Sequence, residues 1–149
     1  VLRRLADVPV DDVVVVEGAH PLGDLDLGAA RLVTCPAWAL GPGASLRCGL
    51  AALAADVDGA LVVLADGPDL APAAVERVVQ AWRAGAGDVV AASYGGSRGH
   101  PLLVDRSAWD EIPDEGLRVR APALVPCDDL GAPGDVDRPE DLPERLRAP

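Results

Sequence analysis

The sequence predicts an α/β fold with a mostly parallel sheet, on two observations. Short runs of apolar and β-branched residues alternate along the chain with segments whose apolar residues recur at helical spacing. The order is strand, strand, helix, strand, helix, strand, which implies right-handed crossovers between parallel strands. The 149 residues fit a single domain, residues 1–149, long enough to bury a core without disulfides.

The first half of the chain supplies four of these elements. In residues 1–8, the apolar residues Val1, Leu2, Leu5 and Val8 fall on one helical face. Because no helix-start signal precedes them, we interpret the segment as the tail of a longer helix and expect a missing N-terminal piece. The run Val13–Val16 predicts a central strand buried on both faces, and residues 30–36 predict a second strand. Residues 42–59 predict a helix with Ser45 as its N-cap.

The second half begins with the most apolar strand. Residues 60–66 predict this third strand, residues 71–87 a helix, and residues 88–94 a fourth strand. The segment YGGSRGHP, residues 94–101, predicts a glycine-rich loop. The remaining predicted elements are a short strand over 101–105, a helical turn over 106–112, a strand over 123–129 and a terminal helix from 138 to 149.

Charge and composition exclude some classes of function. The net charge of −11 argues against binding nucleic acid through a broad basic surface. No apolar run approaches the roughly 18 residues of a membrane span, so we expect no membrane association. The three cysteines form no CxxC pair, and we interpret them as reduced thiols in a cytoplasmic protein rather than as a zinc site or a disulfide framework.

Asp66 is the first candidate functional residue, because it ends the most apolar predicted strand. Ligands of open α/β sheets gather at the carboxyl ends of strands. Gly67 lets the chain turn sharply and Pro68 prevents the strand from continuing, which leaves the carboxylate at the rim of the sheet. Two interpretations stay open: the carboxylate holds a hard cation through oxygen, or it caps the turn that follows.

Two further segments carry candidate residues. In the acidic segment near the C-terminus, Asp137 is a possible second metal ligand, although spacing alone does not show it. In the glycine-rich loop, Arg98 could face a phosphate and His100 could donate a hydrogen bond to one. The alternative for His100 is a loop histidine hydrogen-bonded to the backbone.

Five segments together resemble a known family. PGASLRCGLAAL, LVVLADGPDL, GGSRGHPLLV, PDEGLR and GDVDRPEDL run in the order and spacing of the MobA-like nucleotidyltransferases. The resemblance implies a Rossmann-like three-layer nucleotidyltransferase fold. It also implies transfer of a nucleoside monophosphate from an NTP, CTP or GTP, to a phosphorylated acceptor such as molybdopterin, with release of pyrophosphate and with Mg²⁺ as the cofactor.

The same resemblance assigns roles to individual residues. Asp66 matches the catalytic acid that binds Mg²⁺ and the nucleotide in a DxP element, here with Gly67 in the middle. Asp137 matches the second metal ligand, and Ser45 a position near the nucleotide base and ribose. The acceptor side is implied for Gly99, His100, Pro101 and Arg118, the last at the end of a GDxGxR element in which Pro113 replaces the first glycine.

One departure from the family is large. Its members open with a strand and a loop of the type LAAGxGxRxGxxK, which nothing in this chain matches, and the chain contains no lysine. We therefore expect the first strand of the sheet to be missing and triphosphate binding to be weak. Two alternatives remain: a non-catalytic remnant that binds a nucleotide or a partner weakly, and a sugar-phosphate nucleotidyltransferase with the same metal site.

Overall fold

The computed structural model describes residues 1–147, which form two β-sheets flanked by helices. The smaller sheet pairs two parallel strands, and the larger sheet has four strands. The strands are β1 Val14–Glu17, β2 Arg31–Thr34, β3 Gly59–Val62, β4 Val89–Tyr94, β5 Ser97–Asp105 and β6 Ala123–Pro126. The α-helices of the described residues are α1 Leu2–Leu5, α2 Pro42–Ala51 and α3 Pro72–Arg83.

The larger sheet has the order β3-β5-β4-β6. Strand β5 is antiparallel to both β3 and β4, while β6 is parallel to β4, so three of the four strands run in one direction. The predicted α/β class and the order of the first six elements are confirmed. The prediction of a mostly parallel sheet holds for strand direction only, because two of the three ladders of this sheet are antiparallel.

The core lies on the two faces of the larger sheet. On one face, Leu102 and Val104 of β5 pack with Leu50 of α2. On the other face, Leu103 of β5 and Val78 of α3 belong to a second apolar cluster. Because successive side chains of a strand point to opposite faces, β5 supplies both layers and the molecule has a helix–sheet–helix arrangement.

Strand β1 was expected to be buried on both faces, but each of its four residues is only half-buried. The reason is its position: β1 pairs with β2 alone, and its other edge is unpaired within residues 1–147. Strand β3 likewise pairs only with β5 in the described part of the chain. The missing first strand and the single domain over residues 1–149 stay predictions.

The third strand and the glycine-rich loop differ from their predictions. The third strand ends at Val62, so Asp66 lies in the turn beyond it rather than at the strand end. The expected glycine-rich loop is a tight hairpin, in which Gly95 and Gly96 adopt φ of +59° and +75° between β4 and β5. This is the conformation that two-residue hairpin turns require, and glycine adopts it without strain.

The predicted helix at the C-terminus is replaced by two single 3-10 turns, Pro139–Asp141 and Glu144–Leu146. Pro143 stands between them and interrupts the helical hydrogen-bond pattern. The last two residues of the predicted helix lie outside the described residues.

Helix α2 spans Pro42–Ala51, so it ends well before residue 59, and its N-cap is not Ser45. Gly41 occupies the N-cap, and Ser45 lies inside the helix rather than at its start. Pro42 explains the difference, because proline is favoured at the first helical position, where its missing N–H costs nothing.

The prediction of reduced thiols is wrong for two of the cysteines. Cys35, which follows β2, and Cys48 of α2 form a disulfide, whereas Cys127 is a buried free thiol. Sequence spacing could not reveal the pair, because the two cysteines meet only when α2 packs on the smaller sheet. Among residues 1–147, no helix has the length and apolar character needed to cross a membrane.

Candidate active site

A cleft of about 580 Å³ opens where three segments meet. These are the turn after β3, the β4–β5 hairpin and the loop that follows β6. Its polar lining comes from Asp66, Tyr94, Ser97, Arg98, His100, Asp135 and Asp137. The cleft therefore combines carboxylates on one side with a histidine and an arginine on the other.

Backbone hydrogen bonds bring Asp66 and Asp137 to the same cleft. The carbonyl of Asp66 accepts from the N–H of Val136 at 3.1 Å, and the N–H of Asp69 donates to the carbonyl of Pro133 at 2.8 Å. Gly67 is buried between the two segments, and a Cβ there would lie 3.2 Å from the Cβ of Pro133. The glycine after Asp66 thus serves the close approach of the two loops.

The acidic residues of this region are in different electrostatic environments. Asp69 is paired with Arg145 and lies 4.0 Å from Arg4. Within residues 1–147, neither Asp66 nor Asp137 forms an ion pair with a basic side chain. Both are exposed, so their carboxylate oxygens are available to a cation.

The donor set of the cleft fits Mg²⁺. Asp66, Asp135 and Asp137 offer oxygen ligands, but no three histidine, cysteine or acidic side chains converge on one point in the described part of the chain. Mg²⁺ is commonly held by one or two carboxylates and completes its shell with waters and substrate phosphates. The residues that would hold such an ion here are Asp66 and Asp137.

A β-bulge brings His100 into the cleft. Ala91 pairs with Leu102 and Ser93 with Arg98, so the three residues between Arg98 and Leu102 face a single residue of β4. The extra residues bend the strand and re-aim its side chains.

The pKa of His100 is lowered, first by burial and then by the positive charge of Arg98, while Asp66 opposes the shift. His100 is therefore neutral near pH 7 and carries one N–H donor and one acceptor nitrogen.

Arg98 is largely committed to the backbone. Its Nη1 donates to the carbonyls of Leu117 at 2.7 Å and Arg120 at 3.1 Å. Burial lowers its pKa below the usual arginine value. Arg98 thus lines the cleft but fastens the turn Gly116–Val119 to β5, a role that spacing did not indicate.

The implied site residues do not all lie in the cleft. Asp66, Asp137, Gly99 and His100 line the cleft, and Pro101 follows as a buried residue joined to His100 by a cis peptide bond. Arg118 is exposed and lines a separate depression of about 410 Å³ with Asp114, Glu115 and Val119 among others. Ser45, inside α2, lines neither space.

Sequence reasoning missed two parts of the cleft. One is Tyr94, the single tyrosine of the chain, which immediately precedes the paired glycines of the hairpin. The other is the Pro133–Gly134 turn, which contacts the segment after Asp66. A lone aromatic residue directly before a Gly-Gly turn was the available signal for Tyr94.

Comparison with known proteins identifies the family. The model of the MobA-like NTP transferase domain matches residues 1–121, a range that includes Asp66 and His100 but not Asp137. No curated protein matches the sequence significantly.

Solved structures share the fold. The crystal structure of Rv0371c complexed with manganese, from Mycobacterium tuberculosis H37Rv, is 23% identical with a TM-score of 0.74, covering 94% of this chain and 79% of that one. A homologue from Mycobacterium sp. strain JC1 is 20% identical with a TM-score of 0.74, over 94% of this chain and 76% of that one. A further structure of Rv0371c is 23% identical with a TM-score of 0.73, over 94% and 77%. Because the family model spans most of the sequence, the chain belongs to the MobA-like NTP transferase domain family.

Proposed function

We propose that this protein is a Mg²⁺-dependent nucleotidyltransferase. It transfers a nucleoside monophosphate from CTP or GTP to a phosphorylated small molecule such as molybdopterin and releases pyrophosphate. The observation that carries the proposal is the pair of carboxylates, Asp66 and Asp137, which line one cleft and make no ion pair within residues 1–147. Hydrogen bonds between their two loops fix the pair.

The choice of a divalent ion has support outside this chain. One of the similar crystal structures, that of Rv0371c, is a complex with manganese, so a protein of similar fold holds a divalent ion. Manganese and magnesium both suit oxygen ligands. When bound, Mg²⁺ would neutralise charge on the phosphates and polarise the phosphorus under attack.

The chain itself would bind and orient the acceptor. His100 is neutral near pH 7, so it can donate an N–H to an acceptor oxygen without carrying a charge. Gly99 and Pro101, which flank it in the bulge, are proposed to border the acceptor as well.

Two assigned residues extend the proposal beyond the cleft. Ser45 is proposed to contact the base and ribose, and Arg118 to bind the acceptor from the neighbouring depression. We expect Ser45→Ala to raise the KM for the nucleotide alone and Arg118→Gln to raise the KM for the acceptor alone.

Pyrophosphate release tests the proposal. The full encoded protein is incubated with each NTP, Mg²⁺ and either molybdopterin or a sugar phosphate. We expect release with CTP or GTP and molybdopterin, and Asp66→Asn should lower the rate by about 100-fold or more, roughly 2.7 kcal/mol of barrier.

Asp69→Asn is the matched control, because Asp69 is already held by arginines and does not line the cleft. It removes an exposed ion pair, which is worth about 0–1 kcal/mol, and should leave the rate nearly unchanged. Release that survives in Asp66→Asn contradicts the metal role. If no NTP gives release, the protein is a non-catalytic remnant. If release occurs only with the sugar phosphate, the protein is a sugar-phosphate nucleotidyltransferase.

A cytoplasmic location also belongs to this proposal. The Cys35–Cys48 disulfide removes the argument from reduced thiols, since disulfides are uncommon in reducing compartments. The proposed cytoplasmic location is therefore supported only by the proposed substrates.

A further inference from the structure

We propose that Tyr94 is a positioning residue, which holds His100 in the cleft through the backbone of the β5 bulge. The inference rests on the proposed function in one respect, because His100 has its role on the acceptor side there. Tyr94 itself is the last residue of β4 and lines the same cleft.

The hydroxyl of Tyr94 donates a hydrogen bond to a residue of the bulge that has no partner in the sheet. His100 has no partner in the ladder that β5 forms with β3 or with β4. Its carbonyl accepts a hydrogen bond from Tyr94 Oη at 3.1 Å instead. A partly buried carbonyl needs such a partner, since leaving it unsatisfied is costly.

The ring of Tyr94 contacts the preceding residue. A Cβ on Gly99 would lie 2.8 Å from Cδ2 and 2.9 Å from Cε2 of the ring, closer than real Cβ atoms come. The glycine of the GHP element therefore makes room for the tyrosine ring. Tyr94 thus fixes two consecutive residues of the bulge, one through the ring and one through the hydroxyl.

The pKa of His100 depends on where its ring lies, because burial and two charged groups act on it. The charged groups that act on it are Arg98 on β5 and Asp66 in the turn after β3, and burial is the larger influence. If the bulge loosens, the imidazole gains water and burial acts on it less. A displacement of the imidazole is therefore detectable as a change in the pKa of His100.

The test compares Tyr94→Phe with the parent protein by NMR titration of the His100 ring protons. The variant keeps the ring and loses only the hydroxyl. We expect the His100 pKa to rise toward the ordinary value of about 6.5. We also expect the KM for the acceptor to rise by roughly fivefold, with kcat less affected, as for one lost hydrogen bond.

A double-mutant cycle separates positioning from general stability. In a His100→Gln background, Tyr94→Phe should cause no further rise in the acceptor KM, because the group that it positions is gone. Gly99→Ala, which displaces the ring by another route, should move the His100 pKa in the same direction.

An unchanged His100 pKa in Tyr94→Phe overturns the inference, and so do KM effects that simply add in the cycle. The NMR titration needs no catalysis. If the pKa moves in a protein that releases no pyrophosphate, the positioning stands and the proposed function fails.

Discussion

His100 shows how single side chains shape the cleft. It lies in a bulge, near the positive charge of Arg98, and is partly buried. Each of these features results from its neighbours in β4 and β5. Burial and Arg98 both disfavour the imidazolium, while Asp66 favours it. The imidazole is therefore neutral near pH 7, which suits the proposed role of orienting an anionic acceptor rather than attracting it.

This environment predicts a pH dependence of stability. Because the folded-state pKa of His100 is lowered, the unfolded chain takes up the proton first as the pH falls. The free energy of unfolding should therefore decrease as the pH drops below about 6.5, and His100 should contribute no slope above that value. Urea denaturation at several pH values between 8 and 5 measures it.

His100→Gln is the comparison for this measurement. The variant should lose the part of the slope that comes from His100, so the stability of the parent minus that of the variant should decrease as the pH falls. Parallel curves over the whole range would show that the folded-state pKa of His100 is not lowered.

Some residues of the cleft could be predicted from the sequence and others could not. Asp66 stood out because an apolar run leads to it, and His100 because it lies in the GHP element. Tyr94 could not be assigned, since its role depends on a bulge that only the register of β4 and β5 reveals. Ser45 was misplaced as an N-cap because the helix-starting preference of Pro42 is stronger.

Among the elements, α2 is tightly packed at its start. Gly43 donates its N–H to the carbonyl of Asp114 at 2.9 Å, and a Cβ at Gly43 would lie 1.7 Å from the carbonyl oxygen of Pro113. Arg47, further along the helix, donates to the carbonyl of Ile112 at 2.6 Å and pairs with Asp114. Helix α2 is thereby joined to the loop that leads to Arg118.

Gly43→Ala should therefore destabilise the protein, although alanine normally stabilises a helix relative to glycine. Backbone must move to accept the new methyl group, and we expect a loss of about 1–3 kcal/mol in the free energy of unfolding. Chemical denaturation measures the loss.

Gly23→Ala is the control, because a Cβ at Gly23 meets nothing within 4 Å. It should change stability by only a few tenths of a kcal/mol, about the effect of most surface substitutions. Equal stability of the Gly43→Ala variant and the parent protein would contradict the close packing.

The elements themselves were predicted better than their ends. Apolar runs located the strands, and apolar residues at helical spacing located α3. The end of a strand depends on where its pairing partner ends: β5 extends back to Ser97 because β4 offers a partner up to Tyr94. At the C-terminus, helical spacing was outweighed by Pro143.

For the whole molecule, the disulfide links the smaller sheet to the helix that covers the larger one. Cys35 is fully buried after β2, and Cys48 lies 13 residues further along the chain, in α2. A cross-link that closes a loop of about 15 residues lowers the entropy of the unfolded chain and is worth roughly 3 kcal/mol. Its contribution should thus be a large part of the stability of so small a protein.

Reduction should lower the free energy of unfolding by about 2–4 kcal/mol. Urea denaturation with and without a reducing agent measures the change. The double variant Cys35→Ser, Cys48→Ser keeps Cys127 and should not respond to the reducing agent. A parent protein that responds no more than this variant would contain two thiols instead of the disulfide.

In the proposed site, Asp66 and Asp137 present their carboxylates to a divalent cation in one cleft. Mn²⁺ titration followed by NMR tests it most directly, because the ion broadens the signals of nearby nuclei even when binding is weak. We expect selective broadening of the amide signals of Gly67 and Gly134. The broadening should be strongly reduced in Asp66→Asn and in Asp137→Asn, and unchanged in Asp69→Asn. Equal broadening in the parent protein and in Asp66→Asn would contradict it.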